Sequence, residues 1–354
     1  MFGNQWFKKE IPFMGFIGFG GGATGLGNAG AAEEWSMTGG NTNALSPGNG
    51  WTYHTFTAPG NLEVTGPAGD TIECEVFMMG GGGSGTDTNA SLVGGGAGGM
   101  VYNASIPMDG RDGTIVVTCG EGGAGGPGQP GSNPGGNSSL AWPNGYRSTM
   151  TALGGANNTA SKNSAPIPEM QGQTCGCGAG GFGQGGQTVD QVDGGEGKQP
   201  TQNPTFTPDP EFYQWGYDGG NGFSQHYKWQ GGGGGGCGGA GEDSPLSGGS
   251  GDNQGGNGRQ QPAFQGPLIG LPGLNPLSGY YGGGGGGGNE DYPTNPAPKG
   301  CNAAPGGGGA SAPTNGPFDA VTNSGGGGGG PYYSSGRNGG SGGDGVVVIR
   351  YQPA

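Results

Sequence analysis

The side chains best suited to acid–base, metal or thiol chemistry are few. There are two histidines, His54 and His226, and six cysteines, Cys74, Cys119, Cys175, Cys177, Cys237 and Cys301. Cys175 and Cys177 form a C-x-C, weaker than C-x-x-C as a zinc signal, and no histidine lies beside it. The cysteines do not make a dense disulfide framework and are read as buried free thiols. His54 sits in WTYHTFT and is expected to be a strand residue. Asp209, Glu211 and Asp218 are the best candidates for a hydrolytic carboxylate pair, but in segments this polar they are expected to be solvated. No G-x-x-x-x-G-K-[ST] occurs, and G-x-G-x-x-G recurs by chance in so glycine-rich a chain. A nucleophile, a base and an orienting group cannot be named together, so no enzyme, cofactor or metal is expected.

Recognition is the chemistry better supplied. Aromatic residues cluster in the second half: Phe212, Tyr213, Trp215, Tyr217, His226, Tyr227 and Trp229 in one segment, Tyr280 and Tyr281 in another, Tyr332 and Tyr333 in a third. Tyr and Trp are enriched at binding hot spots, and their faces suit sugar rings or protein surfaces. The alternative is that they cap neighbouring structure as small apolar clusters. A second aromatic group opens the chain, where Trp6, Phe7, Phe13, Phe16 and Phe19 accompany Lys8 and Lys9. Interspersed with Gly and Pro, residues 1–50 read as a docking arm for another protein, or alternatively as a strand packed on its own domain.

The elements that must position these residues are unusual. Of 354 residues, 99 are Gly, many in uninterrupted runs at 231–236, 282–288, 306–309 and 325–330. Fixing Gly in regular structure costs roughly 0.5–1 kcal/mol more than fixing Ala, so such runs are a poor way to build an ordinary core. They are either disordered or form something that only a chain without Cβ can form. Extended polyglycine favours a helix of three residues per turn, and a run of seven would span roughly 22 Å at about 3.1 Å per residue. Packed side by side, such polyglycine-II helices can pair N–H with C=O between neighbours. The run starts are unevenly spaced, which argues against a fixed-period solenoid. Loops held on such a scaffold make a recognition surface.

Residues 51–170 read instead as a β-strand domain. TIECEVFMMG alternates, with Ile72, Cys74, Val76 and Met78 on one face and Thr71, Glu73, Glu75 and Phe77 on the other. The stretches 100–108, 113–122 and 148–156 are further strand candidates. The strongest lies at the end, where Val346–Tyr351 is apolar enough to pair inside the early sheet. The expected fold is therefore all-β plus polyglycine-II, without substantial α-helix. It comprises the arm at 1–50, a β-sandwich or sheet domain at 51–170, a Gly-rich polyglycine-II and loop region at 171–344, and a closing strand at 345–354.

Charge and targeting narrow the function class. Eleven Lys and Arg stand against 25 Asp and Glu, a net charge of −14, which disfavours binding to a nucleic-acid backbone. No continuous apolar stretch near the start resembles a signal peptide, and none approaches the roughly 20 residues of a membrane span. Synthesis in a cytoplasm, without a signal peptide, is expected.

The order FTAPG, VFMMGGGGSG, GGGAGG, IVVTCGEGGAGG and terminal GGSGGDGVVVIRY resembles glycine-rich structural proteins of tailed bacteriophages. GLPGLNPLSGYYGGGGGGG and TNSGGGGGGP are similar to forms from marine phages, and WFKKEIPFMGFIGFGGG to their short virion-docking heads. The resemblance implies a virion-surface tail fibre or adhesin whose loops recognise a host glycan or protein. Trp6, Phe7, Lys8, Lys9, Phe13, Phe16 and Phe19 would dock to other virion proteins. Tyr213, Trp215, Tyr217, His226, Tyr227, Trp229, Tyr280, Tyr281, Tyr332 and Tyr333 would be candidate receptor contacts. A homotrimer is expected. The alternatives are a capsid or tail decoration protein without a receptor and, more remotely, an ice-binding polyglycine-II protein.

Overall fold

Eighteen strands are present among the residues that a computed structural model describes, namely 35–87, 92–126, 133–157, 175–182, 190–199, 212–225, 228–245, 253–288, 306–309, 319–331 and 338–353. In chain order they are β1 (Ser36–Gly39), β2 (Thr42–Leu45), β3 (Thr52–Phe56), β4 (Gly60–Thr65), β5 (Ile72–Met79), β6 (Thr86–Asp87), β7 (Leu92–Val93), β8 (Met100–Met108) and β9 (Thr114–Thr118). There follow β10 (Ser138–Ala141), β11 (Met150–Ala152), β12 (Asp190–Val192), β13 (Phe212–Trp215), β14 (Gly222–Gln225), β15 (Lys228–Gln230), β16 (Arg259–Gln260), β17 (Tyr280–Tyr281) and β18 (Val346–Tyr351). Two short 3₁₀ helices, Pro262–Phe264 and Pro272–Leu277, are the helical elements among the described residues. The fold is all-β, with antiparallel sheets that do not close into a barrel.

A five-stranded sheet, ordered β1-β4-β9-β10-β11, faces a six-stranded sheet, ordered β13-β8-β5-β18-β3-β2. Their shared core includes Phe56, Leu62, Val76, Met78, Val101, Ile106, Ile115, Val117, Val347 and Ile349, all buried. The alternation in β5 is used as read: Cys74, Val76 and Met78 enter this core, with Ile72 packed against it. Phe77 and Met79 face the other way into a second core, where Tyr53, Val346 and Val348 meet Phe264, Ile269, Leu274 and Tyr281. The six-stranded sheet is thus covered on both faces. That explains why β18 reads as an unbroken apolar run: its neighbours on either side are β5 and β3, and Val346 to Ile349 are all fully buried.

The glycine runs continue the sandwich strands. β5 leads into residues 80–85, β9 into 120–125 and β11 into 153–157. Residues 94–99 lead into β8, 133–137 into β10 and 340–345 into β18. Along 80–85, successive N–H groups donate to carbonyls of three different neighbours and then repeat. Gly80 donates to Gly99, Gly81 to Gly136 and Gly82 to Gly343; Gly83 returns to Gly96, Ser84 to Asn133 and Gly85 to Gly340, at 2.8–3.1 Å. A donor direction that recurs every third residue is the signature of a three-fold polyglycine-II helix among parallel-axis neighbours. The same period holds at 231–236, where Gly231 and Gly234 donate to Gly288 and Gly285, Gly232 and Gly235 to Gly181 and Gly178, and Gly233 and Gly236 to Glu242 and Gly239. Run 282–288 also accepts from Gly327 and Gly330, at Gly283 and Gly286, so it lies directly against both of the other long runs, 231–236 and 325–330.

Neighbours lie this close because Cβ atoms are missing. A Cβ on Gly82 would fall within 3.0 Å of the Gly326 carbonyl, and one on Gly285 within 3.0 Å of Gly328. Ala enters at 156 and 179, where with Cys175 it forms a small buried cluster. The early glycines at 80–83, 94–96 and 120–123 fall within the segment read as a β-strand domain, yet they are lattice members bonded to runs from the far end of the chain. Each peptide buried without side chains must find its partners on other chains of the lattice, so late runs recruit early ones. Trp35–Ala354 accordingly forms one compact unit.

Candidate recognition surface

β13 is an edge strand of the six-stranded sheet, paired to β8 with Tyr213 opposite Tyr102 and Trp215 opposite Met100. The alternation of a strand puts Tyr213 and Trp215 on one face, with Gln214 on the other. Their rings stack, centroids 5.7 Å apart and planes 5° from parallel. Tyr213 also lies parallel to Tyr102 across the strands, at 6.2 Å and 12°. Tyr102 donates to Glu75 Oε2 at 2.9 Å and Glu75 receives Arg350 at 2.7 Å, so the row is anchored on the sheet behind it. At the other end Arg259, from β16, places its guanidinium 3.9 Å above the Trp215 ring. Tyr213 is 44% exposed and Tyr217 41%, while Trp215 is half-buried against the second core. Tyr102, Tyr213 and Trp215 make a row of stacked rings ending in a cation, exposed at Tyr213 and fixed by ladder hydrogen bonds.

The other aromatic candidates divide. Tyr281 is buried at 1% exposure and is not a surface contact: its hydroxyl donates to the Phe264 carbonyl, and its ring packs on Phe77 at 4.8 Å. Burial drives its phenol upward from the ordinary range. It caps the second core, the role named above as the alternative for such residues. Tyr280 is half-buried on β17. Trp229 lies in β15, but its side chain is outside the described residues, as are His226, Tyr227, Tyr332, Tyr333 and the arm residues Trp6, Phe7, Lys8, Lys9, Phe13, Phe16 and Phe19.

The reactive side chains are used structurally. His54 is buried in β3, its Nδ1 donates to the Gly39 carbonyl at 3.0 Å, and its ring stacks on Tyr351. Burial holds its pKa below the ordinary value. Cys74, Cys119, Cys175, Cys177 and Cys237 are free and buried. Desolvation pushes Cys119 and Cys175 up to about 12, far from a reactive thiolate. No group of three metal-ligating side chains occurs among the described residues. Asp218 accepts the Gly197 N–H at 2.7 Å. Asp243, Asp319 and Asp344 do the same for Asn221, Ser341 and Gly122. Each of these carboxylates supplies a side-chain acceptor to a lattice N–H that would otherwise look to a neighbouring carbonyl.

A family model described as a glycine-rich domain matches residues 55–352. The chain belongs to this glycine-rich domain family. The match starts within β3 and ends just after β18, so the glycine-rich domain comprises sandwich and lattice together. A search of curated proteins found no match. Arg259 and Tyr102 were not singled out by sequence reasoning. Tyr102 alternates with Val101 in a legible strand, whereas nothing local marks Arg259, which reaches Trp215 only through the β16–β17 pairing.

Proposed function

We propose that this glycine-rich domain protein is a non-enzymatic structural protein of a bacteriophage virion, a tail fibre or adhesin presenting a recognition surface to the host. The observation that carries the reading is the exposed Tyr213 stacked on the half-buried Trp215, on an edge strand joined to a glycine lattice. A lattice bonded in three directions is stiff and chemically plain, and loops or edges fixed to it are pre-organised for binding. The resemblance of the sequence to phage glycine-rich proteins supports the same assignment, with the aromatic arm as the virion anchor and a homotrimer as the assembly.

Two experiments test it. Phage carrying a chain that lacks residues 1–30 should assemble particles without this protein; normal incorporation would remove the docking claim. Replacing residues 212–217 by a Gly/Ser segment of equal length should reduce adsorption to the host while leaving incorporation intact. Unchanged adsorption would instead mark a decoration protein with no receptor.

A further inference from the structure

The geometry points to the Arg259 end of the ring row as a site for a carboxylate-bearing sugar, such as a uronic acid within a cell-surface polysaccharide. This rests on the host-recognition reading above and names its ligand class. Four arginines lie among the described residues, and three are neutralised internally: Arg111 by Asp109, Arg147 by Asp112 and Arg350 by Glu75. Arg259 has the Trp215 ring and no carboxylate among the described residues. In a chain of net charge −14, acceptors for a cation are plentiful, yet this one is held on an indole instead.

The Trp215 ring covers one side of the guanidinium and offers its N–H groups no acceptor, which leaves the N–H fork for a ligand. That fork matches a carboxylate with two parallel hydrogen bonds. Tyr213, 44% exposed at 5.7 Å from Trp215, supplies an apolar ring beside it for the C–H face of the same or the next sugar. The two halves come from segments far apart in sequence, and both are held by ladder pairing, Arg259 opposite Tyr281 and Trp215 opposite Met100. The excess of negative charge elsewhere repels long polyanions in general, so a single cation favours a ligand with one or a few carboxylates over a densely charged chain.

Calorimetric titration of the full chain with trigalacturonate, its methyl ester and hexaglutamate tests the site. Wild-type protein should bind trigalacturonate and bind the ester at least about tenfold more weakly, because the ester keeps the rings and loses the charge-assisted bonds. Added salt should weaken only the acid. Arg259→Gln should reduce affinity for the acid to that of the ester, and Tyr213→Ala should weaken both sugars, with thermal midpoints confirming that each variant is folded. Equal binding of acid and ester, an unaffected Arg259→Gln variant, or no binding of trigalacturonate by wild type overturns the inference. Equal or tighter binding of hexaglutamate overturns it in favour of an acidic peptide. If adsorption depends on residues 212–217 while trigalacturonate fails to bind, host recognition stands and the acidic-sugar claim alone falls.

Discussion

At the residue scale, the glycines differ in what they do, and single substitutions separate them. Gly285 has the Gly328 carbonyl where a Cβ would go, whereas Gly239 has nothing within 4 Å. Gly285→Ala should lower stability by about 1–3 kcal/mol through overpacking. Gly239→Ala should be neutral or stabilise by about 0.4–1 kcal/mol, since Ala narrows the unfolded ensemble. Urea midpoints of the two variants check the contrast. His54 makes a second residue-scale prediction. Its folded pKa lies below the ordinary 6.5, so the unfolded chain takes the proton more readily. Its contribution is present above pH 6.5 and is lost as pH falls below that value. The denaturant midpoint of the wild type should therefore drop on acidification through this range, and His54→Gln should show a smaller drop.

At the element scale, β18 is the keystone because it fills the gap between β5 and β3. Val348→Asp would bury an unpaired carboxylate in the second core, against Phe77 and Phe264, at a cost of several kcal/mol. Loss of the cooperative thermal transition in this variant is the expected outcome; a wild-type melt would contradict the central placement. This strand was legible in the sequence because a run buried on both faces need not alternate. β5 was legible because its alternation survives in the packing. β13 was not: Phe212–Trp215 follows a Pro-rich stretch, and its pairing to β8 spans more than a hundred residues that no local pattern records. Tyr281 was misread for a related reason. Sequence alone left it between a recognition contact and a cap, because the Phe264 carbonyl that captures its hydroxyl comes from a separate 3₁₀ segment.

At the scale of the whole molecule, two cohesive systems are joined end to end through shared chain. The sandwich is held by apolar burial, and the lattice by backbone hydrogen bonds with almost no side chains between them. The sequence could show that the runs were suited to polyglycine-II packing, but not which run lies beside which, because glycine carries no side chain to encode register. Register is set elsewhere, by strands such as β5, β8 and β18 that deliver each run into place, and by side-chain acceptors such as Asp344, which takes the Gly122 N–H.

The measurement closest to the central claim is amide hydrogen exchange on the intact chain, followed by mass spectrometry across the glycine runs. Residues 282–288 and 325–330 donate and accept within the lattice, so they should exchange as slowly as β18 and open only with global unfolding. Exchange of these runs at the rate of an unstructured chain, while β18 stays protected, would contradict the lattice and leave the glycines as loops.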